Sequence, residues 1–346
     1  MADISERKAD HLDLATHGDV GFKRTTTLFE CVRLVHNALP ELDYEGVDLT
    51  TTILGKRLRA PLVIAAMTGG TERAQRINLD LASIAEERGY AFGLGSQRAM
   101  HKDPSFASTY QVRKGAPNAL VLGNVGVVQA RAMSTAEIFD LVHAIGADAL
   151  CVHLNPAMEL VQREGDRDFR GCLDTLERLV SELGVPVVVK ETGCGLSEEV
   201  AMRLHGIGAR HVDVSGAGGT SWVAVETHRA DPERRGLGET FWEWGIPTAA
   251  SVGLVARQGF DTIIATGGIK TGLDIAKAIA LGAHAAGIAR GVLQELEQRG
   301  RQGAMERLNG LEAELRAALL LCGAPNAEAL RKAPKLVVGE LRDWLG

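Results

Sequence analysis

No stretch of this 346-residue sequence stays apolar and uncharged over the roughly 18 to 20 residues that a bilayer-spanning helix needs, so no membrane segment is expected. Residues 1–20, MADISERKADHLDLATHGDV, lack the apolar core of a secretory signal. Charge of one sign is missing too. With 38 basic residues against 44 acidic ones the net charge is −6, and no chain-wide field attracts nucleic acid or an anionic membrane. An anionic ligand must therefore be met by a local cluster. Cysteine is scarce: Cys31, Cys151, Cys172, Cys194 and Cys322 form no CxxC pair and are odd in number, which speaks against a disulfide scaffold or a zinc site and for reduced thiols in a cytoplasmic protein. No Pro/Ser-rich linker divides the chain.

What the chain does contain is a regular alternation. Eight short β-rich apolar runs recur: PLVIAAM (61–67), YAFGLGS (90–96), ALVLGNVG (119–126), ALCVHLN (149–155), VPVVVKET (185–192), HVDVSG (211–216), TIIATGG (262–268) and AAGIAR (285–290). Between them lie stretches with apolar residues at helical spacing, such as AQRINLDLASIAEERG, STAEIFDLVHAIG and TGLDIAKAIALG, several of them closed by a glycine. GIPTAASVGLVARQG reads as a helix and not a further strand, on its length and on Pro247 at its start. Strands apolar on both faces suit a parallel sheet covered by helices, and eight such units over about 230 residues point to an α/β fold of the (β/α)8 TIM-barrel type. The expected organisation is an N-terminal extension over 1–55, a barrel over 56–295 and a C-terminal helical segment over 296–346.

Chemistry in a barrel concentrates at the C-terminal ends of the strands. Read around the ring, those ends are MTGG, GSQR, GN, HLN with Glu159, KETG, SGAGGT, TGGIKTG and AR. A tight turn alone accounts for any one glycine, but not for agreement at all eight ends. TGGIKTGLDIAKAIA sets Gly267, Gly268 and Gly272 around a helix start, where free backbone N–H groups and the positive end of the dipole receive phosphate. Thr220 in SGAGGTSW joins the same side. Flavin mononucleotide and sugar phosphates fit this pattern equally well.

Lys190 ends the fifth strand near the barrel axis, where a buried amine needs negative charge beside it. An electron-rich flavin edge, Glu191 or another barrel carboxylate would serve, and a Schiff-base role is a further option. In the fourth loop Asn155 and Glu159 offer two hard oxygen ligands of the kind that holds Mg²⁺ together with waters and a substrate phosphate, although a solvated Glu in a first helical turn looks the same. His153 could donate to a phosphate oxygen or satisfy a carbonyl. Arg7, Lys8 and His11 in ERKADHL have no barrel duty, and with Arg98 of GSQR they could clamp a diphosphate.

Taken together, RKADHL, MTGGT, GSQRAM, GNVG, HLNPAMELVQREGDRDF, VVVKETGCGLS, DVSGAGGTSW, WGIPTAAS and ATGGIKTGLDIAKAIALGA resemble the type 2 isopentenyl-diphosphate delta-isomerases, in order from residue 7 to 290. The resemblance implies an enzyme that binds FMN and Mg²⁺, takes isopentenyl diphosphate to dimethylallyl diphosphate, and needs NADPH or NADH to reduce the flavin without net redox change. It places FMN against Met67, Thr68, Gly69, Ser96, Asn124, Lys190, Ser215, Thr220, Gly267, Gly268, Ala289 and Arg290. It places the substrate against Arg7, Lys8, His11, Ser96, Gln97, Arg98, His153 and Asn155, and the metal at Glu159 with Asn155. Lys190, His153 and position 158 carry the catalytic roles it implies, and the expected assembly is a homo-tetramer or octamer whose partner is the small prenyl diphosphate.

Met158 departs from the pattern. The family has a glutamine there, immediately before the metal-binding glutamate, and a thioether is a weak acceptor with no proton to donate. Either the flavin alone suffices, or Gln162 substitutes from one helical turn later, or the site serves a related allylic substrate. Alternatives to the isomerase are an FMN oxidoreductase of the hydroxy-acid kind and a catalytically silent flavin-binding barrel.

Overall fold

The computed structural model describes residues 4–346 and contains the expected barrel. Its parallel strands are β1 (Leu62–Ile64), β2 (Ala91–Gly93), β3 (Leu120–Gly126), β4 (Ala149–His153), β5 (Val187–Lys190), β6 (His211–Asp213), β7 (Thr262–Thr266) and β8 (Ala285–Ile288). They close in sequence order, with Ile288 in register against Ile64. Every residue of β1, β2, β3, β5 and β8 is buried, the mark of a parallel sheet covered on both faces. Each of the eight apolar runs contributes one strand. GIPTAASVGLVARQG holds the helix Thr248–Ala256, so the strand count stands.

Local sequence explains where the covering helices begin and end. Thr71 caps α2 (Glu72–Arg88) by accepting from Ala74 N–H, and Gly89 at φ 67° ends it in the left-handed region. Reciprocal capping boxes, Ser134 with Glu137 and Thr271 with Asp274, start α3 (Thr135–Ala144) and α9 (Gly272–Leu281). The other helices that matter here are α4 (Pro156–Val161), α5 (Cys172–Glu182), α6 (Glu198–Gly206), α7 (Trp222–Arg229), α8 (Thr248–Ala256) and α10 (Arg290–Leu321). Inside the barrel Val63, Leu120, Leu122, Val188 and Ile264 fill the lower half. They pack on Ile53 and Leu58 of a hairpin (Thr51–Ile53 with Lys56–Leu58) that plugs the N-terminal mouth.

The two extensions are less separate than the sequence suggests. Val32–Leu34 pairs antiparallel with Lys335–Val337, so the chain ends meet in a two-stranded sheet, and the C-terminal segment is not helical throughout. The boundary drawn at 295/296 falls inside α10, whose geometry instead breaks at Gly300 (φ 65°). At the other end α1 (Ile4–His17) is a helix laid over the open face of the barrel against α7 and α10. Among the described residues no helix is long and apolar enough to cross a membrane.

Candidate active site

A cavity of about 690 Å³ opens at the C-terminal ends of the strands, roofed by α1. Strand register sets its floor. His153 lies opposite Lys190 and Gly126, and Lys190 opposite Asp213, so the last residues of β4, β5 and β6 stand at one height. Lys190 is buried, with its ammonium 2.5 Å from the Glu191 carbonyl and 3.8 Å from Asp213 Oδ2. Burial pushes the Asp213 carboxyl up, and Lys190 works against that shift. The alternative of pairing with Glu191 is met only by the backbone. The Glu191 carboxylate instead accepts from the N–H groups of Thr192 and Gly193 at 2.6 and 2.7 Å, and burial raises it to about 7.

One side of the cavity is glycine-rich. Gly267 (φ 107°) and Gly268 (φ 71°) turn in the left-handed region, and a Cβ on Gly219 would collide with the Gly268 backbone. Ala289, the N-cap of α10, provides no side-chain cap, so the first N–H groups of that helix are left for a ligand. The Arg290 side chain turns away, donating from Nε to Ala15 O at 2.9 Å and from Nη2 to Gly18 O at 2.5 Å. Its guanidinium thus pins the C-terminal end of α1. Met67, Thr68, Ser96, Asn124, Ser215 and Thr220 line the same cavity.

The opposite side is cationic. Arg7 and Lys8 descend from α1 and meet Arg98, which begins the short helix Arg98–Lys102. Lys8 Nζ reaches only the Ser96 carbonyl, at 3.4 Å. Burial, with Arg7 and Arg98 adding repulsion, lowers Lys8 to about 8, and burial with Arg98 lowers Arg7 as well. Arg7 Nε is buried without a hydrogen-bond partner among the described residues. Three cations held together at a cavity wall, with no carboxylate of the described residues in salt-bridge range, form a site for an anion of more than one charge.

Between these sides lies the fourth loop. Asn155 is the N-cap of α4, and its Nδ2 donates to Glu159 Oε1 at 2.8 Å, while Asp166 N–H donates to Oε2 at 2.8 Å. Burial raises the Glu159 carboxyl, opposed by those two donors. Among the described residues no three His, Cys, Asp or Glu side chains form a metal cluster, so Glu159 could hold a cation only jointly with a bound anion. His153 Nδ1 lies 2.8 Å from Asn124 Oδ1, so Nδ1 carries the proton and Nε2 a lone pair. Burial, then Lys190, Lys8 and Arg98, push this imidazole down to about 3. Donation from Nε2 to a phosphate oxygen needs a second proton, which an arriving multivalent anion favours. Met158 turns its sulfur toward Asn155 Nδ2 at 3.8 Å.

Two residues expected at the site are not brought to it. Gln97 is fully buried behind the wall, its Oε1 accepting from Asn124 N–H at 3.0 Å and its Nε2 donating to Leu141 O at 2.9 Å. It braces the strand that carries Asn124 and does not face the cavity. Gly69 is packed under the Tyr110 ring, where a Cβ would collide, so its smallness serves the aromatic and not a ligand. Conversely, the sequence reading missed Glu226. Its buried carboxylate accepts from His11 Nε2 at 2.6 Å and from Arg229 Nη1 at 2.9 Å, and the His11 ring meets Trp222 edge-on at 5.3 Å. Burial works to raise Glu226, but His11, Arg229 and Arg7 hold it below the ordinary carboxylate range. A Glu one turn after Trp222 on an otherwise apolar helix face was the available signal.

The family model of the FMN-dependent dehydrogenases matches residues 1–167 and 152–336. Isopentenyl-diphosphate delta-isomerase of Methanosarcina acetivorans is 46% identical over 341 residues, covering 97% of this chain and 92% of that protein. The protein of the same name from Synechococcus sp. is 47% identical over 333 residues, 95% of each chain. Among solved structures, a mutant of the active chimera of (S)-mandelate dehydrogenase superposes with a TM-score of 0.69 at 20% identity, covering 95% of this chain and 99% of that one. A lactate oxidase of Pediococcus acidilactici gives 0.67 at 16% identity, over 97% and 93% of the two chains. At those identities the two structures speak for the fold alone.

Proposed function

The chain belongs to the isopentenyl-diphosphate delta-isomerases of the FMN-dependent dehydrogenase family, and from that membership we propose that it moves the double bond of isopentenyl diphosphate to give dimethylallyl diphosphate. The observation that carries this reading is the cluster of Arg7, Lys8 and Arg98 on one wall of the barrel cavity, with no carboxylate partner among the described residues. A diphosphate supplies the missing negative charge, and a carboxylate of a hydroxy acid supplies too little of it.

The residues present fit FMN and Mg²⁺. Gly219, Gly267 and Gly268 with the uncapped start of α10 suit a phosphate, and the buried Lys190 with Asp213 stands at the depth of a ring system. FMN, once reduced by NADPH or NADH, supplies an electron-rich ring and an acid–base centre beside the alkene. Glu159, oriented by Asn155 and Asp166 N–H, would hold Mg²⁺, which would help neutralise a bound diphosphate. Arg7, Lys8 and Arg98 neutralise the remaining charge and fix the hydrocarbon tail over the floor. Positive charge develops at the tertiary carbon when the alkene is protonated, so a site that excludes water there protects the reaction. The α1 roof with Trp222 beneath it does this.

The test is an anaerobic incubation of the flavin-loaded protein with NADPH or NADH, Mg²⁺ and isopentenyl diphosphate in D₂O. Deuterium entering dimethylallyl diphosphate is the expected result. Oxidation of a 2-hydroxy acid with no deuterium uptake into the prenyl diphosphate would replace the isomerase reading with the oxidoreductase one, and a yellow protein inert to both would leave a flavin-binding barrel.

A further inference from the structure

We propose that Gln162, one helical turn beyond Met158, is the side-chain amide that contacts the bound substrate in this chain; the proposal rests on the isomerase reading of the cavity. It begins with what the thioether cannot do. Met158 offers a weak acceptor and no donor, and its sulfur already faces the Asn155 amide. The side-chain donors over 153–159 are engaged, Asn155 Nδ2 on Glu159 and His153 Nδ1 on Asn124, and both Glu159 oxygens accept from donors.

Gln162 is the exception. Its N–H donates to Met158 O at 3.0 Å and closes the last turn of α4, so positions 158 and 162 share one face of that turn. Both residues are in the cavity lining. Gln162 is only 4% exposed, and its Nε2 is buried with no hydrogen-bond partner among the described residues. A buried amide donor without a partner is costly unless a ligand or ordered water completes it. An amide also donates and accepts together, which a contact between a diphosphate ester and an ordered water requires.

Sequence spacing allows the substitution because the backbone rises only 1.5 Å per residue along a helix. An amide moved from position 158 to 162 shifts by one turn and keeps its direction, and a methionine left at 158 keeps the space filled. Residues 158 and 162 then act as a pair, apolar filler first and amide second.

Exchange of the pair tests this. Gln162→Met should leave flavin content unchanged and lower kcat/KM for isopentenyl diphosphate by about 10- to 100-fold, the range for losing a contact made by a buried polar group. Met158→Gln in the Gln162→Met background should recover most of the loss. A purely packing role is not rescued by an amide at 158. An unchanged rate in Gln162→Met, or a loss that Met158→Gln does not rescue, overturns the proposal. Titrating isopentenyl diphosphate into the flavin-loaded variants by absorbance reads the same contact without turnover. Weaker binding in Gln162→Met than in the parent supports the assignment even if the parent shows no isomerisation, which would count against the isomerase reading alone. Equal binding there, in a parent without turnover, counts against Gln162. Should Gln162→Met lose its flavin, the neutral Gln162→Leu, which removes the amide without adding charge, takes its place with the same expectations.

Discussion

At the scale of single residues, the site is defined by groups held away from their ordinary state. Lys8 shows the sign most plainly. Burial, with Arg7 and Arg98, lowers its ammonium to about 8, so the free protein loses this charge within an accessible pH range. The charged form is the one that binds a diphosphate. Accordingly kcat/KM for the substrate should hold level below about 8 and fall above it, with kcat less affected because the bound diphosphate restores the proton. Lys8→Met should abolish that fall and raise KM by about 10- to 100-fold, the range for losing a hydrogen bond to a charged group. Stability moves the opposite way. The unfolded side chain keeps its proton up to about 10.5, so stability gains as pH rises from about 8 toward that value, where only the unfolded state holds the proton. A pH series of urea midpoints on the ligand-free protein checks this.

At the scale of elements, α1 is a roof that depends on the rest of the barrel. Arg290 holds its C-terminal end through Ala15 O and Gly18 O, Gln294 Nε2 donates to Thr16 O at 2.9 Å, and Glu226 grips His11. Arg290→Met removes two of these bonds while leaving the backbone N–H at the start of α10. About 1 kcal/mol for each of the two bonds predicts about a 30-fold rise in KM for the diphosphate with flavin content unchanged. Loss of flavin at unchanged KM would instead assign the guanidinium to the cofactor. The sequence showed the basic side chains of α1 but not their roof-like placement, because a helix of mixed polarity carries no instruction about which distant surface it covers. Gln97 and Gly69 illustrate the converse: GSQR and MTGG are visible as motifs, yet which member faces inward depends on Asn124 and Tyr110, both far along the chain.

At the scale of the whole molecule, the N-terminal extension and the C-terminal segment are tied together on the barrel. The strand pair Val32–Leu34 with Lys335–Val337 and the buried Leu341 clamp the last residues onto the barrel flank. Leu341→Ala should cost about 2–4 kcal/mol in urea unfolding, as for other buried leucines truncated to alanine, with kcat/KM unchanged because Leu341 does not line the cavity. A matched loss of activity in the folded protein would show that the ends communicate with the cavity.

The barrel was legible from sequence because burial on both faces forces a run of β-branched and small apolar residues at each strand, a local demand that repeats eight times. The glycines and the fourth-loop polar row were legible for a similar reason: turns and helix starts constrain the residues that make them. What only the tertiary structure decided is partnership. Arg7 and Lys8 meet Arg98, Lys190 meets Asp213, and Glu226 meets His11. These contacts join residues from separate elements, and no local pattern records them, because the packing of the elements brings the side chains together, and for Arg7, Lys8 and Arg98 it does so against burial and mutual repulsion.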